Sequence, residues 1–221
     1  MPKSPASLGT IHPSKQNRSE QTRAAILDAT EELIAKNGYA ATSVNAVAHR
    51  AGMTIGALYG RFGSKQALLQ GLFERLSQQT TDVFDKLIAD LAKGKPELRH
   101  ALERSLEAMR WLYRERAALL RALNQAAATN PTLRKRMLKF NADTCARLYL
   151  ALDRYSARIA HPRPALAMKF GHEAAMRLLR SSMLYEEIDY RDLRKRGIEV
   201  TDELLVREAT RIWEAYLTSR S

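Results

Sequence analysis

Apolar residues recur every three or four positions along most of this chain, the spacing of a helix face turned to a core. Ile26, Ala29, Leu33 and Ile34 share one face, with Asp28, Glu31, Glu32 and Lys36 elsewhere. A helix is therefore predicted from Ser19 to Asn37-Gly38, where either residue can take the left-handed conformation that ends helices. Two short segments follow, Ser43 to Ala51 and Thr54 to Arg61, with Gly52-Met53 between them. Ser43 and Thr54 each stand where a side-chain oxygen can accept from a free backbone N–H in the next helix's first turn. Gly60 and Gly63 mark another break. Ser64 then opens a long helix whose buried side carries Leu69, Leu72, Phe73, Leu76, Val83, Leu87 and Leu91, and which stops at Lys93-Gly94-Lys95-Pro96.

Pro96 suits the first turn of a further helix, in which Leu98, Leu102, Leu106, Met109 and Tyr113 repeat. A helix with Leu119, Leu120 and Leu123 ends at Asn130-Pro131. The next stripe runs Leu133, Met137, Phe140, Thr144, Leu148, Leu152, Tyr155 and Ile159, and His161-Pro162-Arg163-Pro164 stops it. Met168, Ala175, Met176, Leu179 and Met183 line another helix. Gly197 interrupts, and Leu205, Ala209, Ile212 and Tyr216 form a last stripe with Thr201 as its cap. The expected fold is all-α, with about nine helices and no strand run. The chain divides into a tail (1–17), a small three-helix unit (18–63) and a larger helical unit (64–221).

Composition changes this picture little; charge changes it more. The abundance of Ala, Leu, Arg, Glu and Lys over 10 Gly and 7 Pro favours helix. A net charge of +12 suits an anionic partner but does not choose among nucleic acid, acidic lipid and acidic protein. The single cysteine, Cys145, excludes an internal disulfide and fits a reducing cytosol. Residues 1 to 18 lack a signal peptide's apolar core, and no apolar run approaches the roughly 18 residues that span a bilayer. A cytoplasmic protein without a membrane partner is expected. The three prolines and scattered lysines of the tail read as disorder.

The two short segments have the form of a helix-turn-helix over residues 43–61. Val44, Val47, Ala48 and Ala51 give the first helix a buried face, Gly52 permits the tight turn, and Leu58 packs the second helix back. From Leu33 through Phe73 there is no Asp or Glu, while Lys36, Arg50, Arg61 and Lys65 lie within that window. Such a surface can approach a phosphate backbone, and the start of the helix at Ser64-Lys65 offers free N–H groups to phosphate.

Residues 22–73 resemble the DNA-binding domain of TetR-like (tetracycline-repressor-type) regulators. The matching residues are Ala29, Gly38-Tyr39, Thr42-Ser43-Val44, Val47-Ala48, Ala51-Gly52-Met53, Leu58-Tyr59, Phe62, Ser64-Lys65 and Leu68-Leu69. The resemblance covers about a quarter of the chain and implies roles position by position. Thr54, Tyr59, Lys65 and either Thr42 or Ser43 would hydrogen-bond phosphates. Gly56 and Ala57 would approach base edges and thymine methyls. Asn45 matches a position that reaches a base, and Arg61, at the end of the recognition helix, would meet phosphate or guanine. The expected partner is a palindromic double-stranded operator.

The resemblance also implies a ligand pocket for an unknown small-molecule effector and a homodimer built from the last two helices, 164–192 and 201–219. Candidate pocket residues are Met109, Tyr113, Asn141, Thr144, Cys145, His172 and Met176, polar or apolar groups on inner helix faces. No catalytic arrangement, cofactor motif or metal-ligand spacing emerges: the five His residues share no ligand spacing with Cys145, and no Gly-rich phosphate loop occurs. The expected function is thus a regulator, more a repressor than an activator, released from DNA by its effector. The competing reading is a basic helical protein that binds membrane surfaces or small molecules without specific DNA binding.

Overall fold

A computed structural model describes residues 15–94 and 96–219. The first 14 residues of the expected tail lie outside them. Among the described residues there are ten α-helices and no strand: α1 (Lys15–Ala41), α2 (Val44–Arg50), α3 (Ile55–Phe62), α4 (Lys65–Gly94), α5 (Leu98–Glu115), α6 (Ala117–Thr129), α7 (Pro131–Leu152), α8 (Pro164–Leu179), α9 (Arg191–Lys195) and α10 (Asp202–Thr218). Two compact units meet in the chain between Leu72 and Phe73, inside α4.

In the first unit each break has a local cause. Gly38 sits at φ 77, ψ 164, a region essentially closed to residues with a Cβ. The long helix proper therefore stops there, and Tyr39–Ala41 add one more turn. Ser43 caps α2 by accepting from the Ala46 N–H at 3.1 Å. Gly52, at φ 66, turns the chain sharply toward α3. Thr54 caps α3 by accepting from the Ala57 N–H at 3.2 Å, and Ser64 accepts from the Ala67 N–H at 3.1 Å in the first turn of α4. Ile26, Ala29, Val47, Ala48, Leu58 and Leu68 form the buried core that holds these helices, each large aliphatic contributing roughly 1.5–3 kcal/mol.

The second unit is larger. Phe84, Leu87 and Leu91 of α4 join Leu102 and Leu106 of α5, Leu148 and Leu152 of α7, Leu179 of α8, and Val206, Trp213 and Leu217 of α10. Three details differ from the pattern of the sequence. The α7 stripe, expected to run to Ile159, tightens to a 3-10 turn over Asp153–Arg158, where the Tyr155 hydroxyl donates to the Pro96 carbonyl at 2.8 Å. Pro96 precedes α5 by two residues instead of opening it, with Glu97 in the flanking position. The helix expected over 164–192 ends at Leu179, passes through one π turn, Arg180–Leu184, and resumes only as the five-residue α9, which buries nothing. Carbonyls released by the π turn find charged donors: Arg114 donates to Met183 O at 3.2 Å and Arg121 to Leu184 O at 2.8 Å. Arg114 is itself anchored by Asp202 at 2.7 Å, at the start of α10.

Candidate DNA interface and effector cavity

The two sites lie in different units. In the first, α3 is held by one fully buried side chain, Leu58, with Phe62 half-buried behind it. Everything else on the helix faces outward: Ile55, Gly56, Ala57, Tyr59, Gly60 and Arg61 are all exposed. An eight-residue helix this thin on its outer face fits a major groove about 12 Å wide. Asn45 is exposed on the neighbouring α2.

The cap hydroxyls have a chemical surplus. An Ser or Thr oxygen that accepts a backbone N–H still carries a proton to donate. Exposed Ser43 and Thr54 therefore keep a donor for a phosphate oxygen while they cap α2 and α3. Thr42 does not share this freedom. It is 3% exposed, and its hydroxyl donates to the Gly38 carbonyl at 2.8 Å. Of the pair Thr42 and Ser43, only Ser43 presents a hydroxyl outward.

Lys65 is pre-positioned. Its Nζ donates to the Ala40 carbonyl at 3.2 Å and stands 4.4 Å from the centre of the Tyr39 ring. Partial burial pushes its amine below the ordinary lysine value. An ammonium has three donors, so two remain for a phosphate. Arg61 donates to the Ser19 hydroxyl at 3.2 Å and is otherwise open to solvent. Arg50 is different: Glu32, one residue before the acid-free window, grips it at 3.0 and 2.6 Å, so its charge is locally balanced. Ile55 escaped the reading of the sequence. It is a large apolar side chain, 45% exposed in the first turn of α3, and its apolar character three positions before the anchoring Leu58 pointed to the core face instead.

In the second unit a cavity of about 250 Å³ opens among α4, α5, α6, α7, α8 and the π turn. All seven candidate pocket residues line it: Met109 and Tyr113 from α5, Asn141, Thr144 and Cys145 from α7, and His172 and Met176 from α8. Phe73, Thr80 and Phe84 of α4 close the apolar side. Tyr149, which bonds the lining residue His172, was not singled out from the sequence. Its hydroxyl lies 2.8 Å from His172 Nδ1 and also hydrogen-bonds Cys145, so one phenol orients both. His172 is 4% exposed, wedged against the Trp213 ring at 5.0 Å between centroids, and burial pushes its imidazole down to about 4. It is neutral at neutral pH. Burial also raises the Cys145 thiol and the Tyr113 and Tyr149 phenols. The inner wall is thus polar but uncharged. The charged lining residues are Glu173, Arg177 and Arg180, none of which the sequence singled out.

A capped helix-turn-helix with an outward-facing second helix, followed among the described residues by further helices around a cavity, is the architecture of a DNA-binding transcriptional regulator. Comparison with known proteins points the same way. Residues 26–72 match the family described as bacterial regulatory proteins, tetR family. A helix-turn-helix transcriptional regulator of Mycobacterium tuberculosis is 27% identical over 155 residues, 69% of this chain and 71% of that one. The transcriptional repressor KstR of Mycolicibacterium smegmatis is 33% identical over 123 residues, 54% of this chain and 50% of that one. The crystal structure of a TetR family transcription regulator from Marinobacter aquaeolei superposes with a TM-score of 0.57 and 26% identity, covering 91% of this chain and 98% of that one. Residues 26–72 thus carry a TetR-type DNA-binding domain, and along most of its length the chain is similar to TetR-type transcription regulators. Among the described residues no helix is long and apolar enough to cross a membrane.

Proposed function

We propose that this regulator is a cytoplasmic homodimer that represses transcription from a palindromic operator and is released by a small molecule bound in the cavity of the second unit. The observation that carries the DNA reading is the outer face of α3, slim at Gly56, Ala57 and Gly60, free of negative charge and flanked by hydroxyl donors. Ser43, Thr54, Tyr59 and Lys65 grip phosphates and set the register. Asn45, Ile55, Gly56 and Ala57 meet base edges, and Arg61 reaches phosphate or guanine.

The repressor sense is supported by the KstR relative, a transcriptional repressor. The dimer is supported by apolar side chains left outside on the last two long helices: Phe170 is 60% exposed on α8 and Ile212 51% exposed on α10. Two-fold pairing through α8 and α10 sets two recognition helices one helical turn of DNA apart, 34–36 Å, or further. Effector binding favours a dimer whose spacing no longer fits.

Purified protein is titrated by fluorescence anisotropy against its own upstream region and against random duplex, across a salt series. Tighter binding to the upstream region, weakening steeply with salt, is expected. Tyr59→Ala and Lys65→Ala weaken both duplexes alike, whereas a substitution at Ala57 changes the preferred base. Equal affinity for both duplexes at every salt concentration rules out sequence-specific regulation. Binding to anionic vesicles without binding to DNA favours a membrane-surface protein instead.

A further inference from the structure

The cavity separates polarity from charge. Its inner wall offers Asn141, Thr144 and a neutral His172; its charges all come from one stretch of chain. Glu173, Arg177 and Arg180 follow at spacings of four and three, one face of a helix, about 10 Å from end to end at 1.5 Å per residue. Along it the acid comes first and the two arginines follow. Glu173 acts on Cys145, Tyr149 and Tyr113, and Arg180 acts on Tyr113 and stacks at 6.0 Å over Tyr185.

Some arginines of this unit are ion-paired, as Arg110 is with Glu203 and Arg114 with Asp202, and others donate to backbone carbonyls, as Arg121 and Arg154 do. Arg177 and Arg180 have no carboxylate partner within 4.0 Å among the described residues. Two guanidiniums in the lining of a cavity that Phe73, Phe84 and Leu148 also line put cationic donors and hydrocarbon in one site. A guanidinium binds a carboxylate through paired N–H donors, which an alcohol or an amine cannot match.

We propose that the effector is a small organic carboxylate with an apolar body, its anionic group held by Arg177 and Arg180 and its hydrocarbon part among Phe73, Phe84 and Leu148. This rests on the reading of the cavity as the effector site. Its size narrows the class further. At about 250 Å³ it falls below the roughly 300–1,000 Å³ usual for drug-sized ligands, which favours a single ring or a short chain. The net charge of +12 draws such an anion in.

The test is calorimetric titration of the full chain with three probes of one shape: 4-phenylbutyrate, 4-phenylbutanol and 4-phenylbutylamine. The acid is expected to bind roughly tenfold tighter than the alcohol, with the amine weakest. In the double variant Arg177→Gln, Arg180→Gln, the acid falls to the alcohol's affinity while the alcohol's is unchanged, which also shows that the variant folds. An amine that binds tighter than the acid, an acid preference that survives in the double variant, or binding of none of the three overturns the proposal. Operator affinity measured in the same samples separates this from the release mechanism. An arginine-dependent acid that leaves operator binding intact supports the ligand class and refutes release. Release by acid and alcohol at equal concentrations refutes the ligand class and leaves release standing.

Discussion

Replacing Gly171 with alanine sets two physical effects against each other, and the structure decides the sign. Within a helix, alanine is favoured over glycine by roughly 1 kcal/mol, so propensity alone predicts a more stable protein. Packing predicts the opposite. A Cβ at Gly171 would stand 2.3 Å from Trp213 Cδ1 and 3.0 Å from Nε1. The obstacle is a rigid indole that is fully buried and backed by the His172 ring at 5.0 Å, so relief requires α8 and α10 to part. Overpacking of this kind costs typically 1–3 kcal/mol or more. At a 2.3 Å approach the cost falls in the upper part of that range, about 2–3 kcal/mol, so net destabilisation of about 1–2 kcal/mol is expected after the propensity gain is subtracted. For a chain of this size that lowers Tm by roughly 2–8 °C. Urea unfolding at fixed protein concentration measures it, since subunit association also contributes to stability. Combining Gly171→Ala with Trp213→Ala removes the obstructing ring, so the double variant loses less than the sum of the singles. A Gly171→Ala protein as stable as its parent, or more so, refutes the reasoning.

Three further outcomes are expected. Gly56→Ala meets nothing within 4 Å inside the protein, so it stabilises the fold by roughly 0.5–1 kcal/mol while weakening operator binding; unchanged anisotropy would take Gly56 away from the bases. Lys65→Ala lowers the slope of log affinity against log salt by about one per protomer, and an unchanged slope would mean that its ammonium meets no phosphate. His172 has a folded value near 4, below the ordinary 6.5, so between those values the unfolded chain takes up a proton that the folded chain refuses. Stability is therefore full above pH 6.5 and is lost as pH falls toward 4, by roughly 3 kcal/mol in all. Urea midpoints across that range follow this fall in the parent and flatten in His172→Gln.

Local features of this fold were legible because they are written in adjacent residues. The caps at Ser43, Thr54 and Thr201 are seen accepting from the N–H groups three residues on, and Asn37-Gly38 breaks where glycine geometry demands it. The outward face of α3 followed from Leu58 as its anchor. What stayed hidden depends on contacts across long stretches of chain. Glu32 neutralises Arg50 from 18 positions away, and Tyr149 orients His172 from 23 positions away. Thr42 looked as available as Ser43 until the turn at Gly38 folded its hydroxyl inward. The apolar stripe of α7 continues past Leu152 with unbroken spacing, so periodicity could not register that the backbone tightens there. The seven inner-face residues were found from their faces alone, but the charged stretch at Glu173, Arg177 and Arg180 was masked by an abundance of other arginines.

The cap hydroxyls at Ser43 and Thr54 carry a consequence for how such a regulator can diversify. Each oxygen holds a helix start in place and each proton is offered to the DNA backbone, so a substitution at either position disturbs folding and grip together. Those positions have little room to drift. Ile55, Gly56, Ala57 and Asn45 support no part of the core, and a new side chain there disturbs little of the scaffold. A duplicated copy of the gene could acquire a new target sequence through these few outward positions while keeping an unaltered frame.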